Sequence, residues 1–236
     1  MDVALIGYGK MGKAIEAIAL ERGHRVVLAI DVDNLDQFTR ENMQKAQVAI
    51  EFTNPLTAYD NITRCLEYDI PVVSGSTGWY NRLNDAKQLC TERNGSMLCT
   101  SNFSLGVNIF FELNRVLARM MSKFPSYKPE IEEIHHTQKL DAPSGTAITL
   151  AEGIMDEISD IKKWELDGEG EDILSIHAIR KDSVPGTHTV KYASDVDDIE
   201  ITHTAHSRKG LAFGAVLAAE FIHDKKGIFT MKDLFN

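Results

Sequence analysis

The feature that most constrains this chain is its start, where Val3-Ala4-Leu5-Ile6 runs directly into Gly7-Tyr8-Gly9-Lys10-Met11-Gly12. A short apolar run of this kind reads as a buried strand. Met11, Ile15, Ile18 and Ala19 then recur at helical spacing, and Gly23 stands where a helix C-terminus would use it. Glycines spaced GxGxxG between a strand and a helix each have a task. Gly7 permits the turn, Gly9 leaves the backbone bare, and Gly12 lets the helix pack close to the strand. Alone the pattern is weak, because glycine serves any tight turn. Here Asp31 follows nineteen residues after Gly12, at the end of a second apolar run, Arg25–Ile30.

The alternation continues. Val48–Phe52, Ile70–Ser74 and Met97–Thr100 read as strands, with Thr57–Tyr68 and Asn81–Arg93 as helices between them. Short apolar strands separated by helices predict a parallel sheet covered on both faces. The pattern then changes. A long helix is expected from Val107 to about Lys123, ended near Pro125 and Pro129. Glu130–His136 reads as a strand and Thr146–Ile158 as a helix. Ile173–Arg180, Thr187–Ala193 and Ile199–Ala205 follow as strands without helices between them. Consecutive strands predict a mixed or antiparallel sheet, hence a second, α+β domain. Gly210–Ile222 is expected to close the chain as an apolar helix.

The glycine loop in this setting points to a dinucleotide. The N-terminus of the first helix offers free N–H groups and a positive dipole end to a pyrophosphate. Gly7, Tyr8, Gly9, Lys10, Met11 and Gly12 would form that cradle, and Asp31 would accept hydrogen bonds from the adenosine ribose. The competing reading is a structural turn with a strand-end acid. An acid at 31 favours NADH, since a 2′-phosphate would meet its charge. The Arg that relieves this conflict elsewhere is replaced by Val32. Lys10 and Lys13 keep NADPH open. Two further loops, Gly75-Ser76-Thr77-Gly78 and Ser101-Asn102-Phe103, follow parallel strands. Ligands of open α/β sheets sit beyond such strand ends, although ordinary loops have this composition too.

The densest chemical stretch is Glu133-Ile134-His135-His136-Thr137-Gln138-Lys139-Leu140-Asp141-Ala142-Pro143-Ser144-Gly145-Thr146. Adjacent histidines on a strand face opposite ways, so they divide roles. Lys139 adds a cation, and Ser144-Gly145-Thr146 opens a helix whose hydroxyls and N–H groups suit a carboxylate. Two imidazoles, an ammonium and an anion-binding helix end predict a small acidic substrate. A metal is not expected, since the His pair lacks a Cys or HxxxH companion. His188 and His203 fall in predicted strands and read as structural. Arg208 precedes the last helix and would reach a ligand or the domain junction.

Composition removes other classes. There are 25 basic and 35 acidic residues, a net charge of −10, and this argues against nucleic acid as partner. Three cysteines, Cys65, Cys90 and Cys99, make no disulfide framework and fit a reducing compartment. No basic segment followed by a long apolar stretch opens the chain, and the apolar run Gly210–Ala219 is too short for a bilayer. A cytoplasmic protein with no membrane partner is expected.

The stretch EIHHTQKLDAPSGTA resembles the signature of the 4-hydroxy-tetrahydrodipicolinate (dihydrodipicolinate) reductase family of lysine and diaminopimelate biosynthesis. GYGKMG, EFTNP (Glu51–Pro55), GSTGW (Gly75–Trp79), SNFSLGVN (Ser101–Asn108), PGTHTV (Pro185–Val190), EITHTAHSR (Glu200–Arg208) and the terminal GIFTMKDLF carry the similarity over nearly the whole chain. The resemblance implies a Rossmann-type domain from residues 1–103 and 208–236, with 104–207 binding substrate and forming a homotetramer. It implies His135 as general acid/base, Lys139 as catalytic lysine, and His136, Ser144, Gly145 and Thr146 at the substrate carboxylate. It places Gly7–Gly12, Asp31, Gly75, Ser76, Thr77, Thr100, Ser101, Asn102, Phe103 and Arg208 at the cofactor. The implied reaction is NAD(P)H-dependent reduction of a small dicarboxylate. The sequence departs from the family in having only a short segment between Asp31 and Val48 and no Arg after the acid. An amino-acid dehydrogenase of the same architecture would not need HH…K…SGT. A NAD(H)-binding regulator would not need Lys139.

Overall fold

The computed structural model of the chain describes residues 1–207 and 209–235. It divides into two compact units, Met1–Leu105 with Lys209–Asn236, and Gly106–Arg208. Among the described residues no helix is long and apolar enough to cross a membrane.

The first unit runs β1 (Asp2–Ile6), α1 (Lys10–Glu21), β2 (Arg25–Ile30), α2 (Arg40–Met43), β3 (Val48–Glu51), α3 (Ala58–Glu67), β4 (Val72–Ser74), α4 (Leu83–Glu92) and β5 (Ser96–Cys99). After the second unit it is completed by α7 (Lys209–Ile222) and β11 (Gly227–Phe229). The six strands pair in parallel in the order β11-β5-β4-β3-β1-β2. Period-two alternation explains why both faces are covered. In β1, Ala4 and Ile6 join the core under α3 and α4, with Ile62, Leu66 and Ala86. Val3 and Leu5 join the opposite core, with Ile15 of α1 and Ala215, Val216 and Ala219 of α7. All four strand residues are at most 2% exposed.

One element here escapes a sequence reading and another is shorter than it predicts. β11 is three residues at the sheet edge, too short for a periodic signal. β4 begins at Val72 and not at Ile70, because Pro71 has no N–H for the ladder.

The second unit contains α5 (Leu105–Met121, its first residue in the first unit), β6 (Lys128–His135), α6 (Gly145–Met155), β7 (Lys163–Leu166), β8 (Ile173–Arg180), β9 (Gly186–Ala193) and β10 (Asp198–Ala205). Its sheet has the order β10-β9-β6-β8-β7 and is mixed. β9 pairs antiparallel with both β10 and β6, while β6, β8 and β7 are parallel. One face is buried under α5 and α6 through Phe110, Ala118, Leu150 and Ile154 packed on Ile131, Leu174, Ile176 and Val190. β7, Lys-Trp-Glu-Leu, is a short, charged edge strand without the apolar run that marks the others.

Candidate active site

In the first unit the carboxyl edge of the sheet gathers the predicted loops. Each loop begins by bonding the neighbouring strand: Gly7 N–H to Ile30 O (2.8 Å), Phe52 N–H to Ile6 O (2.8 Å), Gly75 N–H to Glu51 O (3.0 Å) and Thr100 N–H to Ser74 O (3.1 Å). The parallel register therefore sets the glycine loop, Asp31, Gly75 and Thr100 along one edge. Gly7 has φ +93°, and a Cβ there would fall 2.1 Å from the Phe52 carbonyl oxygen, so glycine is required twice over.

The edge carries a cavity of about 690 Å³ lined by Gly7, Gly9, Asp31, Val32, Thr53 and Arg64, among others. A nucleotide fits this site by two observations. A Cβ built on Gly9 meets nothing within 4 Å, so the loop lies open to a ligand. Gly9 also caps α1 without any side-chain hydrogen bond, which leaves first-turn N–H groups available to an anion. Lys10 and Lys13 are exposed beside them. Asp31 Oδ1 accepts from Val32 N–H at 2.9 Å and so also caps the short turn that follows.

Other predicted cofactor residues are placed differently. Tyr8 donates its hydroxyl to Glu16, and Met11 packs on the core beside α7. Phe103 is 1% exposed and packs against Phe52, the tilted rings 5.6 Å apart between centroids. The Ser76 hydroxyl is buried on Glu51 at 2.8 Å, and its carbonyl accepts from the Trp79 indole at 2.8 Å. Thr77 and Ser101 are exposed, and the Thr100 hydroxyl accepts from Asn102 N–H at 3.2 Å. Ser76, Met11 and Phe103 thus shape the edge from inside. Arg208 lies outside the described residues.

The sequence reading gives Glu51 no role beyond its place in EFTNP. Fully buried, its carboxylate accepts from Ser74 Oγ (2.5 Å), Ser76 Oγ (2.8 Å) and Thr53 N–H (3.0 Å), and it ties the loops after β3 and β4 together.

In the second unit His135 ends β6 and is 7% exposed. His136, past the strand end, is half-buried. It lines a cavity of about 380 Å³ with Gln138, Ser183, Val184, Pro185 and Ser207. A turn closed by Lys139 N–H to His136 O at 3.1 Å brings Lys139 back, where its Nζ meets Asp141 Oδ2 at 2.5 Å. Gly145 and Thr146 open α6, and a Cβ on Gly145 would meet nothing within 4 Å. Ser144 is the exception. It is 4% exposed, caps α6 by accepting from Ala147 N–H (3.2 Å), and meets His188 Nε2 at 3.1 Å. Its hydroxyl is committed inside the protein, which corrects the expectation that it faces a ligand.

Strand register adds three residues. Glu133 and His188 are directly opposite in the antiparallel β6–β9 pair, and His135 is beside Arg180 in the parallel β6–β8 pair. Glu133 is fully buried. Its Oε2 accepts from Ser144 N–H (3.0 Å) and its Oε1 from Arg180 Nη1 (3.3 Å). Burial alone would raise its pKa. His188, Ser144 and His135 outweigh burial and hold it at about 2. His135 is pushed down to about 4, first by burial, then by His188, with Lys139 and Arg180 adding to it and Glu133 opposing. The free chain therefore holds His135 neutral at neutral pH. Glu133, His135 and His188 bring ligand-type atoms within 4.8 Å of one another. A cation there would compete with Arg180, which already occupies the carboxylate.

Comparison with known proteins agrees with this division. Sequence profiles described as dihydrodipicolinate reductase, N-terminus, and dihydrodipicolinate reductase, C-terminus, match residues 1–103 and 106–235. A 4-hydroxy-tetrahydrodipicolinate reductase of Christiangramia forsetii is 52% identical over 236 residues, covering 100% of this chain and 98% of that one. One of Methanococcus aeolicus is 32% identical, covering 98% and 81%. In fold, the chain matches a dipicolinate-bound dihydrodipicolinate reductase from Paenisporosarcina sp. TG-14 with a TM-score of 0.81 at 20% identity, over 98% of this chain and 97% of that one. Paired profiles spanning both units, with a relative 52% identical end to end, place the chain in the dihydrodipicolinate reductase family.

Proposed function

We propose that the chain reduces 4-hydroxy-tetrahydrodipicolinate to tetrahydrodipicolinate, with loss of water, using NADH. The observation that carries this reading is the meeting, in one unit, of a buried His135, Lys139 four residues on, and the open N-terminus of α6 at Gly145 and Thr146. A strand-end imidazole, an ammonium and a free helix end suit a small ring bearing carboxylates. The solved relative named above holds dipicolinate, a planar dicarboxylate.

When bound, the reduced nicotinamide nucleotide supplies the hydride. Gly7–Gly12 and the N-terminus of α1 would hold its pyrophosphate, and Asp31 its adenosine ribose. Val32 beside that acid is 77% exposed and offers a 2′-phosphate no charge, which supports NADH over NADPH. In the second unit His136, Gly145 and Thr146 would orient a substrate carboxylate. Reduction of a conjugated imine puts negative charge at its far end. Lys139 would stabilise that charge and His135 would deliver the proton. His135 is neutral in the free chain, so the negative charge of an arriving dicarboxylate is what raises its affinity for that proton. On this reading the unit of residues 1–105 and 209–236 would be the nucleotide domain and the other the substrate domain, and the family resemblance supports a cytoplasmic homotetramer assembled through the latter.

The test is a coupled assay. The protein receives NADH or NADPH and the product freshly made by the preceding aldol-type synthase from pyruvate and aspartate semialdehyde. Oxidation of NADH, faster than of NADPH, is expected. Oxidation of neither sinks the reading. An amino-acid dehydrogenase or NAD(H)-responsive regulator is not favoured, because the matched relatives are reductases over nearly the full chain.

A further inference from the structure

We propose that Glu133 is the positioning residue of His135. On this view its buried carboxylate, fixed from behind by Ser144 and Arg180, orients the imidazole and selects which ring nitrogen carries the proton. The inference rests on the reductase reading for the role of His135, and on geometry for the rest.

The carboxylate is held rigidly. Ser144 N–H donates to Oε2 at 3.0 Å and Arg180 Nη1 to Oε1 at 3.3 Å, on a residue with no exposure. From that fixed point Oε2 lies 3.7 Å from His135 Nδ1 and 3.7 Å from His188 Nε2. The two rings meet edge to face, their centroids 5.0 Å apart. Among the described residues, neither His135 Nδ1 nor His188 Nδ1 has a hydrogen-bond partner. A buried nitrogen without a partner is costly, and Glu133 Oε2, 3.7 Å from His135 Nδ1, stands just beyond hydrogen-bond distance. Rotation of the ring toward Oε2 would close that gap. Gly186 lies against the opposite side of the ring: a Cβ there would fall 3.1 Å from His135 Nε2, so the absence of a side chain leaves that nitrogen room.

The consequence concerns protons. With Oε2 facing it, Nδ1 keeps its hydrogen, and Nε2 is the nitrogen that takes up and delivers the transferred proton. In that step the N–H bond at Nε2 breaks, its electron pair stays on the ring, and the electron-rich far end of the reduced ring system forms the new bond to hydrogen. Glu133 gains and loses nothing, and its fixed negative charge favours the imidazolium formed before the transfer. The groups that face His135 are Glu133 on its own strand, His188 from β9, Arg180 from β8 and Lys139 from the following loop. Of these Glu133 alone is negative.

Glu133→Gln, which keeps the shape and removes the charge, is the test. The expected result is a fall in kcat of about tenfold or more with KM for both reactants within about twofold. The alkaline limb of the kcat/KM pH profile, where the proton donor is lost, should move to lower pH by about one unit or more. Glu133→Asp should restore part of kcat. An unchanged pH profile overturns the proposal, whether activity is normal or falls only together with melting temperature. If Glu133→Gln does not fold, ¹⁵N NMR of the unaltered protein decides, identifying His135 by its absence in His135→Gln. The expected neutral tautomer carries its hydrogen on Nδ1, and a hydrogen on Nε2 overturns the proposal. That readout needs no turnover, so failure of the reductase reading and failure of this inference give different results.

Discussion

Ser144 Oγ and His188 Nε2 meet at 3.1 Å between the start of α6 and the middle of β9. The same hydroxyl accepts from Ala147 N–H, so one buried atom joins a helix cap to the sheet. Ser144→Ala removes the cap and leaves both partners unsatisfied. We expect a loss of about 1–2 kcal/mol in urea unfolding, with nucleotide affinity unchanged because the proposed cofactor residues belong to the other unit.

His135 and Lys139 are expected to matter to turnover and not to the nucleotide. His135→Gln and Lys139→Ala should each lower kcat by about 10²–10⁴-fold. NADH binding, followed by nucleotide fluorescence, should persist in both. Loss of binding in both variants would mean that the chemistry is assigned to the wrong residues or that the variants misfold.

Two glycines of one loop should fail in different ways. A Cβ on Gly9 meets no atom within 4 Å, and its φ is −76°. Gly9→Ala should therefore fold normally yet bind NADH about tenfold or more weakly, because the methyl occupies the approach to the backbone. A Cβ on Gly12 would lie 2.2 Å from the Gly7 carbonyl oxygen. Gly12→Ala should lower the melting temperature as well. Calorimetry beside binding separates the two.

Much of this was legible in the chain itself. β2 and β8 occupy the spans their apolar patterns predict, Arg25–Ile30 and Ile173–Arg180. β2 is apolar from Val26 to Ile30, and β8 carries Ile, Leu, Ile, Ala and Ile among its eight residues, patterns that are easily seen. What stayed hidden depends on register. Glu133 and His135 share a face by period two, but nothing local says that His188 lies opposite Glu133, since that pairing follows from how β6 and β9 slide past each other. Ser76 and Ser144 show the complementary case: each sits in a ligand-type loop, and tertiary packing turns each hydroxyl inward.

Cofactor preference should turn on the residue after the acid. Val32 is exposed and adjacent to Asp31 in the cavity at the glycine loop. Val32→Arg supplies the charge that accommodates a 2′-phosphate. The ratio of kcat/KM for NADPH over NADH should rise about tenfold. An unchanged ratio would mean that the phosphate is received elsewhere, with Lys10 and Lys13 the next positions to substitute.

Stability should depend on acid pH with a sign set by His135 and Glu133. The His135 pKa is about 4 in the folded chain against 6.5 as its ordinary value. Between those values the unfolded chain binds the proton and the folded chain does not. Its contribution is complete above pH 6.5 and is lost as pH falls towards 4, about 3 kcal/mol in all. Glu133 is held at about 2 against an ordinary 4.5, so its contribution is complete above pH 4.5 and disappears as pH falls towards 2. The two windows are consecutive, and stability should therefore decline from pH 6.5 downwards without a plateau. Urea unfolding of the unaltered protein and of His135→Gln at pH 4.5, 5.5, 6.5 and 7.5 checks this. The variant should show the shallower slope, and equal slopes would show that His135 is not the group that resists protonation.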